Sequence, residues 1–101
     1  MTDGARFDEL IHPSTRLSVV ALLAAADWAE FAFIRDQLGL SDSALSKQLS
    51  TLEEAGYIAI ERPVSQQRRR VRARLTPLGR ERYAGHVAAL RRIIAAAPQT
   101  A

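Results

Sequence analysis

The sequence predicts a mainly α-helical α+β fold in which a helix-turn-helix precedes a β-hairpin and a long C-terminal helix. Two apolar stripes with helical spacing are joined by the three-residue turn "GLS", which is typical of a helix-turn-helix. After Gly56 the apolar spacing changes from about 3.6 to about 2 residues, which indicates strands. Helical spacing returns after Thr76 and Pro77 and continues to about Ala96.

The first predicted helix begins at Pro13, because proline favours the first turn, and continues to about Ala26. Its inward stripe consists of Leu17, Val20, Ala21, Leu23 and Ala24. The segment "DWAEF" follows as a short link, or as a link with a stub of strand that ends at Phe31. The second helix lies in "FIRDQLG", with Ile34 and Leu38 inward and Gly39 at its C-terminal end.

The third predicted helix runs from Asp42 to Ala55, with Ser41 as its N-cap and Gly56 as its stop. Its inward face consists of Leu45, Leu49 and Leu52. Its outward face carries Ser43, Ser46, Lys47 and Ser50. Small hydroxyl side chains are mediocre helix formers. Their presence on the outward face therefore indicates that a binding partner must approach this helix closely.

The segments "YIAIERPV" and "RVRARLT" are predicted to form the two strands of one hairpin, with the turn in "SQQR". This turn places Ile58 opposite Leu75, Ile60 opposite Ala73 and Glu61 opposite Arg72. Inward residues then pair with inward residues, and an outward acid pairs with an outward base. The face opposite Val71, Ala73 and Leu75 carries Arg70, Arg72 and Arg74.

The last predicted helix begins with Thr76 as N-cap and Pro77 in its first turn. Its Gly79 is costly inside a helix, which predicts that another backbone passes close by. The whole chain, residues 1–101, is expected to be one domain, with a core over about 8–76 and a C-terminal helix over about 77–97. The first seven or so residues and the last few are expected to fray.

Composition excludes several classes of protein. The 101 residues include no cysteine, which excludes a disulfide scaffold and thiolate chemistry and suits a reducing cytoplasm. No apolar run approaches the roughly 20 residues needed to span a bilayer, and the polar start "MTDGARFDE" lacks the basic and apolar regions of a signal peptide, so we expect no secretion and no membrane insertion. Residues 1–61 carry four basic and ten acidic side chains, whereas residues 62–101 carry ten arginines and one acid. This asymmetry favours a polyanion-binding surface.

An enzyme needs convergent reactive groups, and the sequence offers few. The only histidines, His12 and His86, are far apart in sequence and have no carboxylate at metal-ligand spacing. The neighbouring Glu53 and Glu54 are interpreted as a solvated helix face. Four of the six aromatic residues are interpreted as core and core-edge residues: Trp28, Phe31, Phe33 and Tyr57. We therefore expect no catalysis, no cofactor and no metal.

The arrangement of a helix-turn-helix and an arginine-rich hairpin predicts a winged helix that binds duplex DNA. Short side chains let a helix enter the major groove, where serines can bond phosphates or base edges and Lys47 can reach a phosphate or a guanine. The predicted contacts of the recognition helix are Ser41, Asp42, Ser43, Ala44, Ser46, Lys47 and Ser50. The predicted contacts of the wing, which suits phosphates or a narrow minor groove, are Gln66, Gln67, Arg68, Arg69, Arg70 and Arg72.

Two segments, "LSKQLSTLEEAGYI" and "RLTPLGR", make the chain resemble the compact MarR-type winged-helix transcriptional regulators over about residues 8–95. The resemblance implies a homodimer that binds duplex DNA and regulates transcription. Family members often carry Gly-Asn where this chain has Ser43 and Ala44, and Arg-Thr where it has Arg70 and Val71. The usual wing glycine is absent from "SQQRRR".

The last helix carries a heptad seam that is too long for one small core to cover: Tyr83, Val87, Leu90, Ile94 and Ala97. We expect this seam to form a homodimer interface, so that the DNA partner is a pseudo-palindromic operator. The rival interpretation is a winged helix that binds an acidic protein partner. A protein-binding face would favour Tyr, Trp or Leu anchors on the third helix, whereas this one offers serine and lysine.

Overall fold

The computed structural model describes residues 4–62 and 70–98 and confirms the predicted fold class. Its helices are α1 (Ser14–Ala24), α2 (Phe31–Leu38), α3 (Asp42–Glu54) and α4 (Pro77–Ala96). Its strands are β1 (Ala29–Glu30), β2 (Ile58–Glu61) and β3 (Arg72–Leu75). They follow one another as α1, β1, α2, α3, β2, β3 and α4, which is the order of a winged helix.

The three strands form an antiparallel sheet in the order β1-β3-β2. The register of β2 on β3 is the predicted one, with Ile58 opposite Leu75, Ile60 opposite Ala73 and Glu61 opposite Arg72. The register could be predicted because a slip by one residue would turn every apolar side chain of a strand away from the core. The predicted turn, "SQQR", lies outside the described residues.

The structure places β3 in the middle of the sheet, because the short β1 pairs with its other edge. The Phe31 N–H donates to the Val71 carbonyl oxygen at 2.8 Å beside this pairing. Helix α2 begins at Phe31, two residues before its predicted start. Gly39, with φ of 65°, ends α2 in the left-handed region that glycine adopts without strain.

One apolar core joins the helices to the inner face of the sheet. Leu45, Leu49 and Leu52 of α3 are at most 3% exposed, and burying each leucine contributes roughly 1.5–3 kcal/mol relative to leaving it in water. The buried apolar residues that complete this core are Ile11, Val19, Val20, Leu23, Ala29, Ile34, Tyr57, Ile58, Ala73 and Leu75. The core therefore fixes which face of α3 remains outside.

Gly79 confirms the predicted close approach of two backbones. A Cβ atom at this position would overlap the carbonyl oxygen of Tyr57, which accepts a hydrogen bond from the Thr76 N–H at 3.0 Å. The Thr76 hydroxyl donates to the Gly56 carbonyl oxygen at 2.7 Å and caps α4 by accepting from the Gly79 N–H at 3.0 Å. The start of α4 is thus held against the end of α3.

The N-terminal segment packs against α4, so the prediction that it frays up to about residue 7 is wrong for residues 4–7. The Arg6 N–H donates to the Gly85 carbonyl oxygen at 2.9 Å. Asp8 is 7% exposed and accepts a hydrogen bond from the Tyr57 hydroxyl at 2.7 Å. Burial first, and the bond to Asp8 second, raise the pKa of Tyr57. These partners come from distant parts of the chain, so no local sequence pattern indicates them.

Two of the four aromatic residues that the sequence places in the core or at its edge lie elsewhere. Tyr57 is buried and Phe31 packs at the edge of the core, as predicted, whereas Trp28 is 46% and Phe33 is 52% exposed. Trp28 precedes β1 and lies under the Arg72 guanidinium, whose central carbon is 4.3 Å from the ring centroid. The exposure of an aromatic residue depends on how the secondary-structure elements pack. The spacing of the apolar residues around it does not indicate that packing.

No helix within residues 4–62 and 70–98 is long and apolar enough to cross a membrane.

Candidate nucleic-acid interface

The outer face of α3 is available for contact. Ser43, Ser46, Lys47 and Ser50 are exposed, while Ala44 is half-buried. This arrangement follows from the three buried leucines, because residues on the opposite side of the same helix must face outward. The face therefore presents three hydroxyl groups, one ammonium group and a small methyl group, with no bulky side chain among its members.

The N-terminal end of α3 is capped, and its acidic residue, Asp42, forms an ion pair. The Ser41 hydroxyl accepts from the Ala44 N–H at 3.1 Å and lies 3.3 Å from the Ser43 hydroxyl. The Arg35 guanidinium donates to Asp42 Oδ1 at 2.9 Å and to Asp36 Oδ1 at 2.9 Å. Asp36, and then Asp42, raise the pKa of Arg35 above its usual value. Pairing with Arg35 reduces the repulsion that Asp42 would exert on an approaching phosphate.

A contact that the sequence does not predict holds α3 from behind. Arg16 of α1 donates from Nε to Gln48 Oε1 at 2.9 Å and from Nη1 to the Leu10 carbonyl oxygen at 3.1 Å. One side chain thus connects the N-terminal segment, α1 and α3. The only sequence signal for this contact is the position of Gln48, which lies between the apolar and the hydroxyl-bearing faces of its helix.

The hairpin that would form the wing is described only in part. Gln66, Gln67, Arg68 and Arg69, four of the six residues predicted to contact DNA from the wing, lie outside the described residues. Of the other two, the Arg70 side chain is 71% exposed and lies 3.4 Å from Glu30 Oε2. The Arg72 side chain is 37% exposed, and its Nε donates to Glu61 Oε1 at 2.6 Å. The two arginines therefore stand in different surroundings.

A cleft of about 460 Å³ separates α3 from the base of the hairpin. Its apolar floor is lined by Phe31, Ala32, Leu49, Ile60 and Val71. Its polar lining consists of Glu30, Ser46, Ser50, Arg62 and Arg70. The fold thus brings two predicted recognition-helix residues and one predicted wing residue to the same cleft. Hydroxyl and guanidinium groups arranged in this way can donate hydrogen bonds to phosphate oxygens. Arg62 was missed by the sequence interpretation, although it belongs to the arginine-rich half of the chain.

The predicted dimer seam runs from the core to the exposed end of α4. Tyr83 packs on the core, Val87 and Leu90 are half-buried, and Ala97 is exposed. Ile94 is 71% exposed, and its neighbour Ile93 is 57% exposed. These two large apolar side chains are exposed to water on one turn of the helix. Burying them against a partner chain would be favourable.

The two histidines, although 74 residues apart in sequence, lie side by side. His86 is fully buried, and its Nδ1 accepts a hydrogen bond from the Asp8 N–H at 2.9 Å. This bond assigns the ring proton to Nε2, which donates to His12 Nδ1 at 3.3 Å. Burial first, and electrostatic repulsion between the two imidazoles second, lower the pKa of His86. Both ring nitrogens of His86 are occupied, so the pair ties the N-terminal segment to α4.

A metal ion does not fit this histidine pair. Coordination through Nε2 of His86 would require its proton to move to Nδ1, where it would face the Asp8 N–H. No cluster of three or more His, Cys, Asp or Glu side chains that could hold a metal ion is found in the described part of the chain.

We predict that stability falls in mild acid because of His86. The folded state lowers its pKa below the usual value of about 6.5, so the unfolded chain binds more protons below that pH. The free energy of unfolding should therefore be level above about pH 7 and should fall as the pH decreases from about 6.5 towards 5. Urea titrations at each pH measure it.

The His86→Asn variant is the matched test of that prediction, because its amide oxygen can accept from the Asp8 N–H but does not titrate. Its stability should be nearly level over the same pH range, while His12→Asn, at an exposed position, should retain most of the fall. Asp8 and Glu9 also face His86, and their charges oppose the lowering of its pKa without reversing it. Equal pH dependence in the wild type and His86→Asn would contradict this role.

Comparison with known proteins places these features among DNA-binding domains. A family model described as a winged helix DNA-binding domain matches residues 15–94. An uncharacterised protein of Methanocaldococcus jannaschii is 25% identical over 79 residues, which cover 78% of this chain and 86% of that protein.

Solved structures share the fold. A transcriptional regulator homologue from Pyrococcus horikoshii OT3 superposes with a TM-score of 0.82 at 22% identity, covering 87% of each chain. The overoxidized AbfR bound to DNA superposes with a TM-score of 0.71 at 24% identity, covering 79% of this chain and 58% of AbfR. The similar structures include MarR-family regulators, so the resemblance predicted from the sequence is confirmed.

Proposed function

The chain belongs to the winged helix DNA-binding domain family, and from this premise we propose that it is a sequence-specific regulator of transcription that binds duplex DNA as a homodimer. The observation that carries the proposal is the outer face of α3, which combines exposed hydroxyl groups with Lys47 beside a cleft that also holds Arg62 and Arg70. A helix with such a face fits the major groove, and basic groups on its flank suit the phosphate backbone.

Within this proposal α3 reads the bases. Ser46, Lys47 and Ser50 are exposed and reach base edges or phosphates, while Ala44 contacts a thymine methyl group. Ser41, Asp42 and Ser43 lie at the N-terminal end of the helix, where backbone N–H groups and the helix dipole favour a phosphate. This division gives α3 most of the sequence information.

The wing supplies affinity. Arg70 forms a 3.4 Å ion pair with Glu30 and its side chain is 71% exposed, so its guanidinium can exchange this carboxylate for a phosphate at small cost. The wing residues outside the described part of the chain, Gln66, Gln67, Arg68 and Arg69, are proposed to extend this contact along the backbone or into a narrow minor groove. Arginines on phosphates carry little sequence information.

A homodimer joined through α4 completes the proposal, acting in the cytoplasm. The exposed Ile93 and Ile94 support an interface on this helix. Two-fold symmetry would present two α3 helices to successive major grooves, so the operator is proposed to be pseudo-palindromic. The DNA complex of AbfR, whose fold is shared, supports duplex DNA as the partner.

Selection of bound duplexes from a random pool tests the proposed function. The expected product is a consensus of two inverted half-sites centred about one helical turn, roughly 10 base pairs, apart. The matched control is Ser46→Glu, which introduces a better helix former at an exposed position but turns a carboxylate towards the phosphates. It should yield no consensus. Failure of the wild-type protein to enrich any duplex, combined with retention on an acidic protein column, would favour the protein-interaction alternative.

A further inference from the structure

We propose that Arg72 is a positioning residue that fixes the base of the wing, and that it does not itself contact DNA. The inference deepens the proposed function, because the wing it positions is taken to be the DNA-binding wing. It assigns to Arg72 a different role from that of Arg70, although both arginines belong to the same face of the same hairpin segment.

The register places Arg72 at the centre of the sheet. It lies in β3, the middle strand, opposite Glu61 of β2 on one side and opposite Glu30 of β1 on the other. It is also the outermost residue of β3, where the hairpin leaves the sheet. A side chain at this position can act on all three strands, whereas Arg70 lies beyond the last paired residue.

The guanidinium of Arg72 is held by two different partners. Its Nε donates to Glu61 Oε1 at 2.6 Å, and its central carbon lies 4.3 Å from the centroid of the Trp28 ring. The first contact is a short charge-assisted hydrogen bond, and the second is a cation–π contact with the best aromatic acceptor. We call these three residues, Trp28, Arg72 and Glu61, the wing-base clamp.

Exposure agrees with this assignment. The Arg72 side chain is 37% exposed and its Glu61 partner 47%, compared with 71% for the Arg70 side chain. To reach a phosphate, Arg72 would have to leave both the ring and the carboxylate. Arg70 would give up one ion pair of 3.4 Å, which is worth little at an exposed site. DNA would therefore recruit Arg70 before Arg72.

The clamp connects β1 and β2 through β3 at the points where the strands end. Trp28 directly precedes β1 and Glu61 is the last residue of β2. The two ends of the hairpin segment 62–71 are thereby held at a fixed separation and direction. Without the clamp the two strand ends would have to be fixed at the moment of binding, which lowers affinity.

Lysine substitutions separate a positioning role from a phosphate contact. Lysine keeps the charge and binds phosphate as a point charge, but it lacks the planar group that stacks on Trp28 and the Nε–H that bonds Glu61. Arg72→Lys should weaken binding to operator and random duplexes alike by roughly tenfold, because it removes both a cation–π interaction and a charge-assisted hydrogen bond. The slope of log affinity against log salt should be unchanged. Arg70→Lys, the matched control, should stay within about twofold of the wild type.

Trp28 gives a second measurement that keeps the charge of the protein unchanged. Trp28→Leu should weaken binding like Arg72→Lys, and the double variant should be no weaker than either single one, because both changes break the same clamp. Trp28 is the only tryptophan of the chain, so its fluorescence reports the clamp directly. Its emission should change in Arg72→Lys, remain as in the wild type in Arg70→Lys, and change little when DNA is added to the wild type.

Full affinity for DNA in both Arg72→Lys and Trp28→Leu would overturn the proposal. A large change in Trp28 emission when the wild type binds DNA, absent in Arg72→Lys, would also overturn it, because it would indicate that Arg72 leaves the ring to contact DNA. Circular dichroism and thermal melting establish that each variant folds. The fluorescence of the free proteins tests the clamp without DNA. If the wild-type chain bound no duplex even at low salt, the proposed function would fail, whereas an unchanged Trp28 spectrum in Arg72→Lys would refute the clamp alone.

Discussion

Replacing Leu90 and Ile94 by aspartate should turn the proposed homodimer into a monomer and remove most of the affinity for its proposed operator. Both residues belong to the seam of α4, and Ile94 is 71% exposed within one chain, so the aspartates would place charges in the proposed interface. Two linked recognition helices gain an affinity roughly 10²–10⁴-fold above that of one. A loss of that order is expected for the full operator, with little loss for a single half-site.

Light scattering and fluorescence anisotropy measure this pair of effects. The matched control is the double variant Ala95→Asp and Ala96→Asp, which adds the same charge to the last turn of α4 but outside the seam; it should remain dimeric. Because Leu90 is half-buried within its own chain, Ile94→Asp alone is tested as well. A wild-type chain that stays monomeric at micromolar concentration would refute the dimer.

Alanine substitutions on α3 and on the wing should weaken DNA binding in different ways. Ser46→Ala or Lys47→Ala should cost roughly 1–3 kcal/mol on the preferred duplex if the side chain contacts a base, and less on random DNA. Arg70→Ala or Arg68→Ala should weaken both duplexes alike. For every phosphate interaction that such a variant removes from a half-site, the slope of log affinity against log salt should also become shallower by about one.

A salt titration of each variant on both duplexes separates the two classes of contact. The control is Thr51→Ala, which removes a hydroxyl from α3 that donates to the Lys47 carbonyl oxygen within the same helix. It should leave the specificity ratio unchanged. Equal losses and equal slope changes in the α3 and wing variants would mean that this surface recognises only charge, and the proposal of a sequence-specific regulator would be abandoned.

Elements with a local physical cause were predictable. Ser41 and Thr76 cap helices because their hydroxyls accept from N–H groups three residues ahead, and Gly56 has a φ of 81° where the chain leaves α3. The register of β2 on β3 followed from alternation alone, and Gly79 indicated a close backbone because only such an approach offsets its cost in a helix.

The candidate site could be predicted in kind but not in detail. The outward face of α3 follows from its leucine stripe, so Ser43, Ser46, Lys47 and Ser50 could be selected from the sequence. The division between Arg70 and Arg72 could not, because it depends on the side chain of Trp28, which the sequence interpretation had placed in the core or at its edge. A cation–π contact leaves no periodic signal in either of the segments that it joins.

The sequence by itself therefore determined the element order, the helix caps, the hairpin register and the face of α3 that is free to bind, since each depends on residues a few positions apart or on strict alternation. Tertiary structure alone decided that residues 4–7 are held against α4, that His12 lies 3.3 Å from His86, and that Trp28 lies beside Arg72. These contacts join segments separated by tens of residues. Their geometry is fixed by how whole elements pack around the core, because packing selects among rotamers and neighbours that are equally compatible with the local sequence.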